Sequence, residues 1–151
     1  MRIVAALILA STLATSSFMA APPVFEFDSG SPNHPEGFGA WRVRWDASGF
    51  AVSHQVRDRV TDYPPVRLAP EDESALRALI EAATLETRGD SLPAGAPGRP
   101  MAVFRTGRGG DVATVRVWVD WDRAGDPIVE LVRKIGELIE KHTGVRPVLR
   151  A

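Results

Sequence analysis

Toward the C-terminus, apolar residues return at Ile128, Leu131, Val132, Ile135, Leu138 and Ile139, the spacing that lines one face of an α-helix. Asp126 stands where an N-cap is needed, Pro127 at the first helical position and Gly144 just past the end, which together predict a helix with both ends specified. Its outer face places acid before base at Glu130–Lys134 and Glu137–Lys141, so ion pairs along the helix are expected. A second helix is predicted from Pro70 to about Leu85. Leu76, Leu79, Ile80 and Ala83 form a narrower stripe, Glu71, Asp72 and Glu73 load the first turn, and Leu68 precedes it as a staple.

Elsewhere the period is two. Val24–Asp28, Trp41–Trp45, Phe50–Arg57, Met101–Thr106 and Val112–Trp121 read as strands. Asp46–Gly49 and Gly107–Asp111 are the turns of two hairpins. In the first hairpin Trp41, Val43, Trp45, Phe50, Val52 and Val56 share a face with His54, and Arg42, Arg44, Ser53, Gln55 and Arg57 share the other. In the last strand Val115, Val117, Val119 and Trp121 oppose Thr114, Arg116, Trp118 and Asp120. Ser29–Gly39 and Glu86–Pro100 are Pro/Gly-rich loops, Val60–Arg67 is a Pro-containing connection, and Val145–Ala151 has the pattern of an added edge strand. The expected fold is α+β: an antiparallel sheet of about five strands, in the order β-β-β-α-β-β-α, with two helices packed on one face.

At 151 residues, with 44% hydrophobic and 25% charged residues, the chain suits one globular domain. Residues 1–20 read as a secretory signal peptide, with Arg2 as the basic start, Ile3–Ala10 as the apolar run and a Ser/Thr/Ala-rich end. That leaves residues 21–151 as a single domain, secreted or periplasmic, with no stable membrane insertion once the leader is removed. The absence of cysteine means that an exported chain must be held by its core alone. A formal net charge of -1 gives no field that favours nucleic acid.

Asp120, Asp122 and Asp126 cluster around one turn without the spacing of a calcium loop. His34, His54 and His142 have neither His nor acid at metal-ligand spacing, and no Gly-x-Ser-x-Gly elbow is present. Neither a cofactor nor a metal is therefore expected. The surface with most to offer a partner is the uncovered sheet face with Arg42, Arg44, Arg57, Arg116 and Trp118, since arginine and tryptophan are enriched at binding hot spots. Arg88 and Asp90, flanking Gly89 in the second long loop, are rival contact positions.

Several segments carry a family pattern. Asp28-Ser29-Gly30 closes the first strand, and Gly37-Phe38-Gly39 precedes the Arg-containing strand Trp41–Trp45. Leu68–Ala83 has the form Leu-x-x-x-(acidic)-x-x-x-Leu-x-x-Leu-Ile-x-x-Ala, and two strands and the amphipathic helix Ile128–Ile139 follow. In this arrangement, which spans most of the chain after the leader, it resembles the small protein inhibitors of thermolysin-like metalloproteases typified by emfourin. The resemblance implies a protein partner, specifically a protease, and carries no inhibitory residue across. The expected function is an exported, non-enzymatic protein-binding domain that inhibits a secreted protease. The alternatives are a small exported hydrolase using His34 or His54, and an interaction protein of the cell envelope.

Overall fold

Every alternating segment finds an antiparallel neighbour in the computed structural model, which describes residues 24–88, 90, 100–108 and 111–149. The predicted leader, most of the Glu86–Pro100 loop, the Gly109-Gly110 turn and the last two residues lie outside the described residues. Strands β1 (Val24–Gly30), β2 (Ala40–Asp46), β3 (Gly49–Val56) and β4 (Arg59–Val66) precede helix α1 (Pro70–Ala83) and the short α2 (Leu85–Arg88). Strands β5 (Met101–Arg108) and β6 (Asp111–Trp118) and helix α3 (Pro127–Thr143) complete the chain. The sheet order is β4-β3-β2-β1-β5-β6, so the first strand sits inside the sheet and joins the two hairpin systems.

The fold is the expected α+β arrangement with one strand more. The segment read as a connection, Val60–Arg67, is mostly strand β4, despite Pro64 and Pro65. An edge strand tolerates proline because its outer N–H groups have no ladder partner to lose. The register shifts where Phe50 pairs Val66 and Val52 pairs Tyr63, so the two prolines fall in a bulge. The C-terminal segment, expected as an edge strand, has no regular structure. Leu149 is buried there, and a Cβ added at Gly136 of α3 would lie 3.2 Å from its Cδ1. The glycine lets the tail lie close against the helix.

One face of the sheet is the core. Phe25, Phe27, Trp41, Val43, Phe50, Val52, Phe104, Val115 and Val117 are buried against α1 and α3. The predicted stripe of α3 is buried in full, and Val129 joins it. Asp126 accepts the Ile128 N–H at 2.9 Å and Gly144 closes the helix at φ 73°, as the sequence predicts. The two helices are tied by charge as well. Asp72 of α1 is buried and accepts from Lys134 Nζ at 2.8 Å and Lys141 Nζ at 2.6 Å. Both lysines were expected to pair along α3. Lys134 does keep Glu137 at 3.8 Å, but the shorter bond of each goes across to α1, because a buried carboxylate needs compensation more than an exposed one. His142 Nε2 donates to the Pro64 carbonyl at 2.9 Å, which fastens the end of α3 to the edge strand.

Gly39 is a tight point of the β1–β2 connection. It has φ 74°, and a Cβ there would fall 2.5 Å from the Gln55 carbonyl oxygen and 2.6 Å from His54 Nε2. Gly39→Ala should therefore cost about 2 kcal/mol or more, the left-handed penalty plus the clash. Leu131→Ala or Ile135→Ala should cost about 2–5 kcal/mol, as core truncations do. Chemical denaturation of each variant beside the parent chain checks both, with the slope unchanged and the midpoint lowered.

Candidate functional site

The face away from the helices is built by the same alternation that builds the core. On β1, Phe25 and Phe27 point inward, so Glu26 and Asp28 point outward. Register then lays out the rows. Glu26 stands between Arg44 and Arg105, and Thr114 lies beyond Arg105. Asp28 stands between Arg42 and Val103, with Ser53 and Asp62 beyond Arg42 and Arg116 beyond Val103.

Opposite charges therefore interleave across three adjacent central strands. Arg42 Nε lies 3.1 Å from Asp28 Oδ1, and Arg44 Nη1 lies 3.5 Å from Glu26 Oε1. Arg105 bridges both acids, donating to Asp28 and lying 3.7 Å from Glu26. At one end, Arg44 Nε also donates to Asp46 Oδ2 at 2.7 Å. Asp46 in turn accepts from the Ser48 hydroxyl at 2.5 Å and the Ser48 N–H at 2.8 Å. Those Ser48 and Arg44 bonds hold the Asp46 carboxyl at about 2, below the ordinary 3.8, and Asp46 raises the Arg44 guanidinium above its usual value. A shallow concavity of about 590 Å³ lies over this face, with Glu26, Asp28, Arg42, Arg44 and Arg105 in its wall.

The sequence-predicted positions do not all meet here. Arg42 and Arg44 do, with their side chains 64% and 59% exposed, so they remain reachable while paired. Arg116 lies toward the β6 edge, and Asp90 serves that edge twice. Its Oδ1 accepts the Arg116 N–H at 2.8 Å and its Oδ2 lies 3.5 Å from the Arg116 guanidinium. Arg57 is not on the face. Strand β3 ends at Val56, and Arg57 forms the β3–β4 turn at φ 53°, donating its N–H to the Pro32 carbonyl at 2.7 Å. Trp118 is half-buried rather than displayed, and its indole N–H is buried with no hydrogen-bond partner among the described residues. Arg88, at the end of α2, turns back on α1 and donates to the Ala83 carbonyl at 3.2 Å.

Arg105, Glu26 and Asp28 are the members that sequence reasoning missed. The signal was present in the alternation of Val24–Asp28 and Met101–Thr106. What hid it is that β1 pairs with β5 across more than seventy residues, a neighbour relation that no local pattern encodes.

The histidines are engaged with backbone. His34 Nδ1 accepts the Glu36 N–H at 3.2 Å. His54 stacks on Trp41, with ring centroids 3.8 Å apart and planes 8° apart, and donates to the Phe38 carbonyl at 2.9 Å. Among the described residues, no group of three or more His, Cys, Asp or Glu side chains is placed to hold a metal ion. Nor is any helix among them long and apolar enough to cross a membrane. Comparison with protein-family models and with curated proteins finds no match for the chain. The class that fold and face define is an α+β domain with a helix layer on one side of its sheet and a charge-laddered face on the other.

Asp46 has a folded pKa below its unfolded one, so its contribution to stability is full above about pH 4 and is lost as pH falls through about 2. The Asp72 carboxyl is lowered as well, by its hydrogen bonds to Lys134 and Lys141, and its contribution has the same sign. Thermal melts from pH 6 to pH 2 should show Asp46→Asn less stable than the parent at pH 6, with the gap closing toward the acid end.

Proposed function

We propose that this chain is an exported, non-enzymatic protein-binding domain that docks through its open sheet face. Its partner is a secreted protease of the thermolysin-like kind, which it inhibits. The observation that carries the binding reading is the ladder of Arg42, Arg44 and Arg105 against Glu26 and Asp28 on the face that none of the described helices covers. Such a surface recognises by charge pattern. A partner that offers acids opposite the arginines and bases opposite the acids exchanges pair for pair, and a mismatched one meets like charges. The guanidinium planes also allow bidentate contacts to carboxylates.

Export rests on the leader-like residues 1–20, and the protease as partner rests on the emfourin-like arrangement. Binding is favoured over hydrolysis by the histidines, whose hydrogen bonds to Phe38, Glu36 and Pro64 all go to backbone groups. A general base needs a ring nitrogen facing a proton to be moved.

The test is titration of the domain into thermolysin-like proteases, with residual activity and complex formation both measured. Inhibition at micromolar protein is expected. If neither inhibition nor a complex appears, the protease partner is wrong. Arg42→Gln with Arg44→Gln should weaken the complex at least about tenfold, the scale of hot-spot arginines. The same pair of changes should lower the melting temperature only slightly, since exposed ion pairs contribute roughly 0–1 kcal/mol each. Unchanged affinity in that variant would remove the sheet face from the interface.

A further inference from the structure

A second concavity lies at the end of the sheet where β1 begins and β5 finishes, away from the charge ladder. It encloses about 800 Å³ between the β2–β3 turn and the corner joining α1 to α2, the scale of a small-molecule site. Its apolar wall is Phe25 and Leu85, both buried, with Trp45, Leu68 and Ile80 partly buried beside them. Thr106 also lines it. That residue is nine-tenths buried, and its hydroxyl has no hydrogen-bond partner among the described residues.

The charges around the cavity are unevenly used. Asp46, Glu73, Glu81 and Glu86 contribute carboxylates, and Arg67 and Arg77 guanidiniums. Asp46 already holds Arg44, and Glu73 holds Arg77 at 2.8 Å. Glu81 and Glu86 have no ion pair among the described residues. The corner that brings Glu86 beside the end of α1 is a deliberate one. Thr84 takes φ 49°, and its carbonyl accepts from the N–H groups of Thr87 and Arg88.

Arg77 is the informative residue. Its guanidinium carbon sits 4.8 Å from the centroid of the Trp45 ring, while its side chain is 54% exposed. A tryptophan face flanked by carboxylates is the chemistry that recognises ammonium groups. Here a flexible side chain of the protein occupies that seat. We propose that the cavity binds an organic cation with an apolar body. Its charged group takes over the seat on Trp45 that Arg77 holds here, and its body lies along Phe25, Leu68, Ile80 and Leu85. Glu73, released from Arg77, and Glu81 then face the incoming charge, and Arg77 moves into solvent. An anion of the same shape meets Glu73, Glu81 and Glu86 against Arg67, which has no ion pair among the described residues, and is disfavoured.

The probe is octylammonium, with octanoate and 1-octanol as anionic and neutral controls, titrated into the full chain and followed by NMR. Octylammonium should saturably shift the Trp45 indole resonance and the amides of Glu81 and Glu86, while octanoate leaves them in place. Arg77→Ala empties the seat and frees Glu73, so it should bind octylammonium about 2–5-fold more tightly, the range of one exposed cation–π contact. Glu81→Gln with Glu86→Gln should weaken binding several-fold. All three are exposed helix positions, so the variants should fold, which their melting curves verify. Octanoate binding as well as octylammonium would overturn the proposal. So would Arg77→Ala binding no more tightly than the parent, which would make Arg77 a wall of the site or a bystander. The outcome is independent of the sheet face, because none of the substituted residues belongs to the charge ladder.

Discussion

The alternation of strand β1 is the constraint on which the rest depends. Being central, β1 supplies Phe25 and Phe27 to the core and Glu26 and Asp28 to the opposite face in one stroke. The two phenylalanines meet Phe104, with Phe27 at a centroid distance of 5.5 Å, while the two acids meet arginines of β2 and β5. A slip of one residue would turn two carboxylates into the core and expose two aromatic rings. Burying an unpaired charge costs far more than any single contact here contributes. The register of the central strand is therefore fixed from both sides at once, by apolar demand beneath and by charge pairing above. That is why the ladder is a property of the fold as much as of a site.

The helix layer follows a different logic. The stripe of α3 fixes which face meets the sheet, but Ile, Leu and Val are roughly interchangeable as volume, so it defines the position along the axis less sharply. Asp72 reduces that freedom. The chain has only two lysines, Lys134 and Lys141, two turns apart on α3, and both reach the same buried carboxylate. Asp72 is shielded while Lys141 is 65% exposed, so the pairing contributes little net stability, yet removing the lysines would leave the carboxylate uncompensated. The two bonds tie one side of α3 to α1. Orientation matters on the far side too, because the same helix end carries His142 to the Pro64 carbonyl and so steadies the edge strand β4.

Much of this architecture was legible along the chain. Local rules were enough for α3, whose cap, first-turn proline and terminal glycine stand where the pattern places them, and for the two hairpins and the inward faces of their strands. What escaped had physical reasons of two kinds. Some features ran against a local rule that tertiary context relaxed: Pro64 and Pro65 break a central strand but not a bulged edge, and Arg57 could leave its strand because a two-residue turn accepted it at positive φ. Others depended on neighbours distant in sequence. The acid partners of Arg42 and Arg44 come from β1, Arg105 comes from β5, and the partner of the α3 lysines comes from α1. Facing direction can be read from a period of two; which strand lies alongside cannot.

The two candidate surfaces share one economy of design. On each, the central position is already held by a group of the chain. On the sheet face each arginine already has an acid, and in the cavity the aromatic seat already has a guanidinium. A surface of free arginines would attract any polyanion, and a bare tryptophan lined by glutamates would collect any amine. When the protein's own groups hold the positions first, a ligand gains only the difference between its contacts and those it displaces. Weak or mismatched ligands then gain nothing, and only a partner with a better-fitting set of charges exchanges favourably. On the proposed readings, self-pairing lowers the affinity for every ligand by a similar amount, so it keeps weak ligands off without changing the ratio between two ligands. That ratio is left to the contacts each ligand makes when it replaces the chain's own groups.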